Sequence, residues 1–217
     1  MRVVVIGAGG HARVVLDSLV AAGEHEIVGL TDPDQEKKGS CIAGYPILGN
    51  DGILPDLHNQ GIEGMIVALG PNHLRARLFD HATTLGFTLV NAIHPTSWIA
   101  PSVQIGKGVA VMAGVIINAS THIGNNAIVN TGATIDHDCV IGDHVHVAPG
   151  CHLSGYVQVD IGTLIGTGSS VIDGIVIGRW SVIGAGAAVV NHIPSGVVAV
   201  GVPARVQERP SLRESQE

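Results

Sequence analysis

A six-residue repeat of aliphatic side chains in the second half of the chain limits the possible folds more than any other feature. Every sixth position from Ile93 to Val189 is Leu, Ile or Val, which makes 17 consecutive matches. These residue types fill about a third of the segment, so chance gives such a run roughly once in 10⁸ trials. This period is typical of a parallel β-helix. It predicts about five stacked coils of roughly 18 residues, which must stack to bury their apolar sides.

Two other positions of the repeat support this interpretation. The residue two before each aliphatic position is Val or small in most coils, as at Ala127 and Cys139, and we expect it to point inward, where little volume remains. Gly, Asn or Asp often follows the aliphatic position, as at Gly106 and Asn118. These residues tolerate a left-handed backbone, so we expect them to form the corners of each coil.

The composition excludes several classes of protein. Hydrophobic residues make up 46% and charged residues 13% of the 217-residue chain, which argues against disorder. No apolar run reaches the ~18–20 residues of a membrane span, and the net charge of -7 argues against a nucleic-acid surface. The three cysteines are an odd, sparse set without a CxxC motif. We read them as reduced thiols and predict a cytoplasmic protein.

The first ninety residues alternate predicted strands and helices. The predicted strands are Arg2–Ile6, Glu26–Leu30, Gly64–Leu69 and Phe87–Asn91, with helices after the first and third that end near Ala22 and Leu85. This alternation predicts a small, Rossmann-like parallel α/β sheet. We therefore divide the chain into an α/β domain at 1–90, a β-helix domain at 91–206 and a polar tail at 207–217, which we expect to be frayed.

Three segments follow predicted strands and meet at one edge of this sheet: Gly7–His11, Asp32 and Gly70–Asn72. Ligands of parallel sheets bind at that edge, and a helix N-terminus there favours anions. Ala12 occupies the third glycine position of the dinucleotide fingerprint, which permits alanine. We favour a nucleotide-type ligand over a simple tight turn. A nicotinamide cofactor is disfavoured because no dehydrogenase-like second domain follows.

Histidines supply the candidate chemistry. Five of them fall close together, at His122, His137, His144, His146 and His152. A histidine suits proton transfer near neutral pH, and a carboxylate on its other nitrogen raises its basicity. Asp138 follows His137 directly, although sequence adjacency alone does not put the two side chains in contact. The His144-x-His146 pair with His152 could suit zinc, but no cysteine or carboxylate spacing supports such a site, so we predict no metal.

Several motifs together resemble one family. GAGGHA, VALGPN, AIHP, NTGATIDHDCVIGDHVHVAPG and GVPAR are similar to segments of the NeuD-like sugar O/N-acetyltransferases. The closest resemblance is to members that acetylate the 4-amino group of nucleotide-linked 4-amino-4,6-dideoxysugars of the GDP-perosamine and UDP-bacillosamine types. It spans residue 1 to about 206. It implies a left-handed coil, acetyl-CoA as co-substrate and a homotrimer that binds CoA between two prisms.

The resemblance also implies roles for individual residues. His137 would be the general base, with Asp138 as its partner. The Gly155 backbone N–H would face the thioester oxygen. The residues implied for the nucleotide-linked sugar are Gly9, Gly10, His11, Asp32, Gly70, Asn72, Asn130 and Thr131. The residues implied for acetyl-CoA are His146, Gly155, Thr167, Ala185 and Arg205.

Three functions stay open at this stage. The favoured one is direct attack of a sugar amine on the thioester, since neither Cys139 nor Cys151 is placed like a nucleophile in the repeat. An alternative acceptor is a sugar hydroxyl, as in sialic acid O-acetylation. A third possibility is a non-catalytic trimer that binds a nucleotide sugar as a scaffold. The sequence does not choose between GDP and UDP. The resemblance suggests a role in surface polysaccharide synthesis.

Overall fold

The computed structural model describes residues 1–207. Residues 208–217, most of the predicted tail, lie outside the described residues, and Gln207 ends the last strand. The first part is an α/β sheet, and the second is a β-helix, as the sequence predicts. The helices are α1 (Gly10–Ala22), α2 (Leu54–Asn59) and α3 (Asn72–Thr84). Among the described residues, none of these helices is long and apolar enough to cross a bilayer.

The α/β sheet has six strands in the order β3-β4-β2-β1-β5-β6. They are β1 (Arg2–Ile6), β2 (Glu26–Thr31), β3 (Cys41–Ile42), β4 (Tyr45–Gly49), β5 (Gly64–Val67) and β6 (Thr88–Leu89). All pairs are parallel except the β3–β4 hairpin. Valines at positions 3–5 are fully buried, as expected for a strand covered on both faces. The hairpin and α2 are too short to show a hydrophobic period, so the sequence pattern does not predict them.

Two-residue strands form most of the β-helix and pair with the strand 18 residues later, as Ile117 pairs with Ile135. The last two strands have three residues each, and the spacing shortens there, since Val182 pairs with Val198. Face 1 contains β7 (Ala92–Ile93), β10 (Ala110–Val111), β13 (Ile128–Val129), β16 (His146–Val147), β19 (Leu164–Ile165), β22 (Val182–Ile183), β24 (Val198–Val200) and β25 (Arg205–Gln207). Face 2 contains β8 (Trp98–Ile99), β11 (Ile116–Ile117), β14 (Thr134–Ile135), β17 (His152–Leu153), β20 (Ser170–Val171) and β23 (Ala188–Val189). Face 3 contains β9 (Gln104–Ile105), β12 (His122–Ile123), β15 (Val140–Ile141), β18 (Gln158–Val159) and β21 (Val176–Ile177). The aliphatic repeat and its small partners form one continuous core.

One sequence expectation about the corners is wrong. The left-handed residue lies three positions after the aliphatic residue, not one, and it recurs every six residues from Gly108 to Gly186. The glycines directly after the aliphatic residue serve close packing instead. A Cβ on Gly106 would lie 2.8 Å from the backbone nitrogen of Asn125 in the next coil. Successive coils approach too closely there for a side chain.

The α/β part packs on face 1 of the β-helix. Apolar residues of α1, among them Val15 and Leu19, share a buried cluster with Ala110, Met112 and Ile128 of the coils. Helix α3 contacts the corner between faces 3 and 1. This arrangement brings the loops at the carboxyl edge of the sheet next to face 1.

Candidate active site

His137 and Asp138 form a hydrogen-bonded pair at the corner between faces 2 and 3. Asp138 is one of the left-handed corner residues, with φ 57°, and its Oδ2 lies 2.8 Å from His137 Nδ1. Neighbouring side chains in a strand point to opposite faces, so it is the corner that allows the two to meet. The side chains are 49% and 41% exposed. With Nδ1 occupied by the carboxylate, Nε2 is available to take a proton.

Gly155 lies one coil away, directly against the imidazole of His137. A Cβ built on Gly155 would be 2.6 Å from His137 Cε1 and 2.8 Å from Nε2. A Cβ at that distance would have to displace the imidazole, so glycine at this position leaves the ring where it is. Tyr156 adds an edge-to-face contact at 5.2 Å between ring centroids. The implied oxyanion role of the Gly155 N–H stays a prediction, and the contact with the ring is a separate reason for glycine here.

An open groove of about 580 Å³ runs along face 1 and the corner between faces 1 and 2. Three residues that the resemblance assigns to acetyl-CoA line it: His146, Thr167 and Ala185. Gly70, which the resemblance assigns to the sugar, lines the same groove from the α/β part. Most of the remaining lining is apolar or backbone, which suits an extended aliphatic chain with amide groups.

Two histidines, one of which lines this groove, lie where the first turn of α1 meets face 1. The rings of His11 and His146 lie 6.2 Å apart. Burial, together with the charge of Arg75, lowers the pKa of His11 to about 4 and that of His146 to about 3. His146 Nε2 lies 3.1 Å from the amide nitrogen of Asn130, and its ring also bonds the Gly70 backbone. Both rings are therefore neutral at physiological pH, and His146 is hydrogen-bonded, whereas His11 Nε2 has no hydrogen-bond partner among the described residues.

A second cleft of about 530 Å³ lies at the carboxyl edge of the sheet. Gly9 and Asp32 line it, as expected for a nucleotide site, and Asp32 also pairs with Lys37 at 3.1 Å. Lys37, Asp51 and Arg77 line the cleft too, and sequence reasoning missed them. These three residues lie in loops or on a helix surface, where a single charged residue belongs to no motif or periodic pattern in the sequence. A cleft with two cations beside a helix N-terminus can accept phosphate groups.

The other residues that the resemblance assigns to a substrate lie in four different places. Thr131 lies beside Asn130 near His146, and both its backbone N–H and its hydroxyl donate to Asn130 Oδ1. The side chain of Asn72 instead bonds the carbonyl oxygens of Gly162 and Thr163, so it joins the two parts of the chain. Arg205 donates to its neighbour's carbonyl and lines neither cleft. Gly10 begins helix α1, next to the sheet cleft.

The structure does not bring His137 and the face 1 groove together within one chain. His137 lies at the corner between faces 2 and 3, whereas Thr167 and Ala185 lie at the corner between faces 1 and 2. The width of face 2 separates these corners. A site that uses both must take them from different copies of the chain.

Neither coil cysteine is positioned for nucleophilic chemistry. Cys139 and Cys151 are buried in the β-helix core, and burial raises the pKa of the Cys139 thiol to about 11. Burial also raises the pKa of Cys151. A thiol in this state does not form the reactive thiolate near neutral pH. Within residues 1–207, no group of three or more His, Cys, Asp or Glu side chains is arranged to hold a metal ion.

Family models match both parts of the chain. The PglD N-terminal domain matches residues 2–82, and the bacterial transferase hexapeptide model, of six repeats, matches residues 120–155. GDP-perosamine N-acetyltransferase of Escherichia coli O157:H7 is 29% identical, over 94% of this chain and 96% of that protein.

Solved structures agree with these matches over the whole fold. A histidine-to-asparagine variant of perosamine N-acetyltransferase from Caulobacter crescentus, in complex with CoA and GDP-perosamine, is 46% identical. The match has a TM-score of 0.92 and covers 96% of this chain and 97% of that one. The acetyltransferase domain of PglB from Neisseria gonorrhoeae, in complex with acetyl coenzyme A, is 36% identical. That match has a TM-score of 0.88, with 95% and 98% coverage. The chain belongs to the NeuD-like, hexapeptide-repeat sugar acetyltransferases.

Proposed function

We propose that this protein transfers the acetyl group of acetyl-CoA to the 4-amino group of a nucleotide-linked 4-amino-4,6-dideoxysugar, with GDP-perosamine as the first candidate. The observation that carries this proposal is the exposed His137–Asp138 pair, with Nδ1 and Oδ2 2.8 Å apart and Gly155 leaving room beside the ring. The 46% identity to a perosamine N-acetyltransferase supports the choice of acceptor.

The chemistry of this pair follows from its hydrogen bonds. Asp138 accepts a hydrogen bond from Nδ1–H of His137, which leaves Nε2 basic. As the sugar amine attacks the thioester carbon, a C–N bond forms and the C–S bond breaks. Nε2 takes the proton that the amine loses and passes it to the leaving sulfur, which departs as the CoA thiol and leaves His137 ready for the next cycle. Neither coil thiol serves as an acyl-enzyme nucleophile in this scheme, because both are buried.

The two clefts suit the two substrates. The face 1 groove, with His146, Thr167 and Ala185 along it, fits the pantetheine arm of acetyl-CoA. The sheet cleft fits a nucleoside diphosphate, because Lys37 and Arg77 line it next to the N-terminus of α1. The Leu69 and Gly70 loop lies between them, since Leu69 lines the sheet cleft and Gly70 lines the groove. A sugar on the diphosphate can extend past this loop toward the groove.

A homotrimer completes the site. If face 2 of each chain turns toward a threefold axis, the corner carrying His137 meets the neighbour's corner carrying Thr167 and Ala185. Face 2 suits such burial, because Trp98 is 63% and Ile116 40% exposed on it, and large exposed apolar groups mark interaction surfaces. We propose a cyclic trimer with three active sites, each shared by two chains.

The remaining parts of the proposal concern organisation and location. We propose that residues 1–90 are the nucleotide-sugar domain and 91–206 the acetyltransferase domain. We expect the protein to work in the cytoplasm, where its unpaired thiols stay reduced, and to supply an acetylated sugar for surface polysaccharides.

Mass spectrometry with acetyl-CoA and a panel of acceptors tests the function. The panel holds GDP-perosamine, a UDP-linked 4-amino-4,6-dideoxysugar and sialic acid. We expect one acetyl group on a nucleotide-linked amine, and a rate loss of about 10²–10⁴-fold for His137→Ala, which removes the general base. If sialic acid is the only acceptor that is acetylated, the reaction forms an ester at a sugar hydroxyl and not an amide at an amine. Binding of nucleotide sugar without any transfer would favour the non-catalytic scaffold.

A further inference from the structure

Arg75 is a buried cation at the junction of the two parts of the chain. It lies on α3 and is 1% exposed, which makes it the largest fully buried side chain among the described residues. Its Nη1 donates to the carbonyl oxygens of Leu69 (3.2 Å) and Gly70 (2.9 Å) and to Asn72 Oδ1 (2.9 Å). On the coil side, its Nε and Nη2 donate to the carbonyl oxygens of Asn126 (3.1 Å) and His144 (2.7 Å).

The loop held by Arg75 belongs to both clefts. Leu69 lines the sheet cleft, and Gly70 lines the face 1 groove. The coil carbonyls at the other end of the guanidinium belong to two corner residues in successive coils, Asn126 and His144. The Asn126 amide also donates back to the Arg75 carbonyl at 3.2 Å. One rigid, planar group therefore connects the loop between the clefts to the β-helix.

Within residues 1–207, Arg75 has no charged partner. Its hydrogen bonds all go to neutral oxygens, and none of the ion pairs among the described residues includes it. A buried charge without a counter-ion is costly, even when it is fully hydrogen-bonded. An apolar side chain of similar size would join α3 to the coil without this cost. The guanidinium of Arg75 instead donates hydrogen bonds in fixed directions, which an apolar contact does not do.

We propose that Arg75 is a positioning residue for acetyl transfer, which fixes the Leu69–Gly70 loop relative to the β-helix and so sets the spacing between the two bound substrates. The inference rests on the proposed function. Arg75 contacts neither substrate in this scheme. It acts through the loop backbone, and its effect belongs to the step in which both substrates must be aligned.

Kinetics and single-ligand binding of Arg75→Met test this inference. We expect kcat with GDP-perosamine to fall about 30-fold or more, because a small misplacement of reacting groups is that costly. The dissociation constants for CoA alone and for GDP-perosamine alone should change by less than about threefold, since each cleft stays formed. Arg75→Lys should not rescue kcat, because one ammonium cannot reach both sets of carbonyls.

Phe79→Leu is the matched control. Phe79 is on the same helix and packs against the same corner residue, His144, but its side chain has no donor that could hold the loop carbonyls. We expect it to lower the thermal midpoint and leave kcat unchanged. If Phe79→Leu and Arg75→Met lose kcat equally, the role of Arg75 is structural and the inference is overturned. An unchanged kcat in Arg75→Met would also overturn it.

Two further outcomes are informative. If Arg75→Met does not fold, Arg75→Lys, which retains the charge, takes the same measurements. Full kcat in that variant overturns the inference, and low kcat with intact single-ligand binding supports it. A wild-type protein that does not acetylate any nucleotide-linked amine contradicts the proposed function itself, and the inference then fails with it.

Discussion

At the scale of single residues, the His137–Asp138 pair depends on the conformation of one backbone position. Side chains of adjacent residues usually diverge, but the left-handed φ of 57° at Asp138 accompanies a 2.8 Å contact between the two side chains. Left-handed residues recur every six positions from Gly108 to Gly186, and Asp138 falls in that series. The contact forms at the true corner of the repeat, three positions after the aliphatic residue, which the sequence pattern did not identify.

Gly155→Ala tests how tightly His137 is held. The added methyl would lie 2.6 Å from Cε1 of the imidazole, so the ring must move, and with it Nε2. We expect kcat to fall about 10- to 100-fold, because the base is displaced from the amine. Steady-state kinetics measures this change.

Asp173→Ala is the control, since Asp173 occupies the position 18 residues after Gly155, on the same corner. This variant should keep its kcat. If Gly155→Ala keeps the wild-type kcat, displacing the His137 ring does not affect catalysis, and Gly155 is not part of the active site.

His11 and His146 predict how stability depends on pH. Burial lowers their pKa values from 6.5 to about 4 and about 3, so between those values and pH 6.5 the unfolded chain binds more protons than the folded one. The contribution of these two histidines to the free energy of unfolding is complete above pH 6.5 and is lost as the pH falls below 6.5. We expect about 1–2 kcal/mol lost per histidine between pH 7.5 and 5.

Urea unfolding at both pH values measures this loss. His146→Gln should reduce the difference between the two free energies of unfolding. His122→Gln, at an exposed position, should leave the difference as in the wild type. An equal pH dependence in His146→Gln and wild type would contradict the assignment to the buried ring.

At the scale of elements, the coil corners determine which residues the β-helix accepts. Gly174 has φ 68° with open space around its Cα, so only the backbone conformation opposes a side chain there. We expect Gly174→Ala to lower the free energy of unfolding by about 1 kcal/mol, the cost of a left-handed L-residue. Chemical denaturation measures this change.

Ser120 provides the reverse substitution on the same corner. It already adopts φ 61° as a non-glycine residue, so Ser120→Gly removes that strain and should not destabilise the protein. If both variants lose the same stability, the backbone conformation is not the cause.

At the scale of the whole molecule, the separation of His137 from the face 1 groove makes the proposed site depend on assembly. His137→Ala removes the base, and Ala185→Trp fills the groove, so each variant alone should be inactive. Mixed trimers should recover about a quarter of the wild-type rate, because random assembly pairs an intact groove with an intact neighbouring base in that share of interfaces. Acetylation assays before and after subunit exchange measure this recovery.

Light scattering under the same conditions checks that the variants exchange as trimers. Trimers that exchange subunits without recovering any activity would mean that each chain works alone. A monomer in solution would contradict the shared site directly.

The sequence alone determined the β-helix, because its core is a one-dimensional pattern in which each aliphatic residue stacks on one 18 positions away. It also predicted the parallel α/β sheet and singled out the histidine and glycine positions through the family motifs. Those motifs name residues, but they do not specify which surfaces those residues share. Asn72 illustrates this limit, since its side chain bonds the coil carbonyls of Gly162 and Thr163.

The tertiary structure decided how the two parts of the chain meet. Burial separates the neutral rings of His11, in the first turn of α1, and His146, in a strand of face 1, from the exposed ring of His137 at a corner. Arg75 gives no sequence signal, because its partners are mostly backbone carbonyls far apart in the chain. A carbonyl oxygen is present at every residue, so only the folded arrangement selects the ones that a guanidinium can reach.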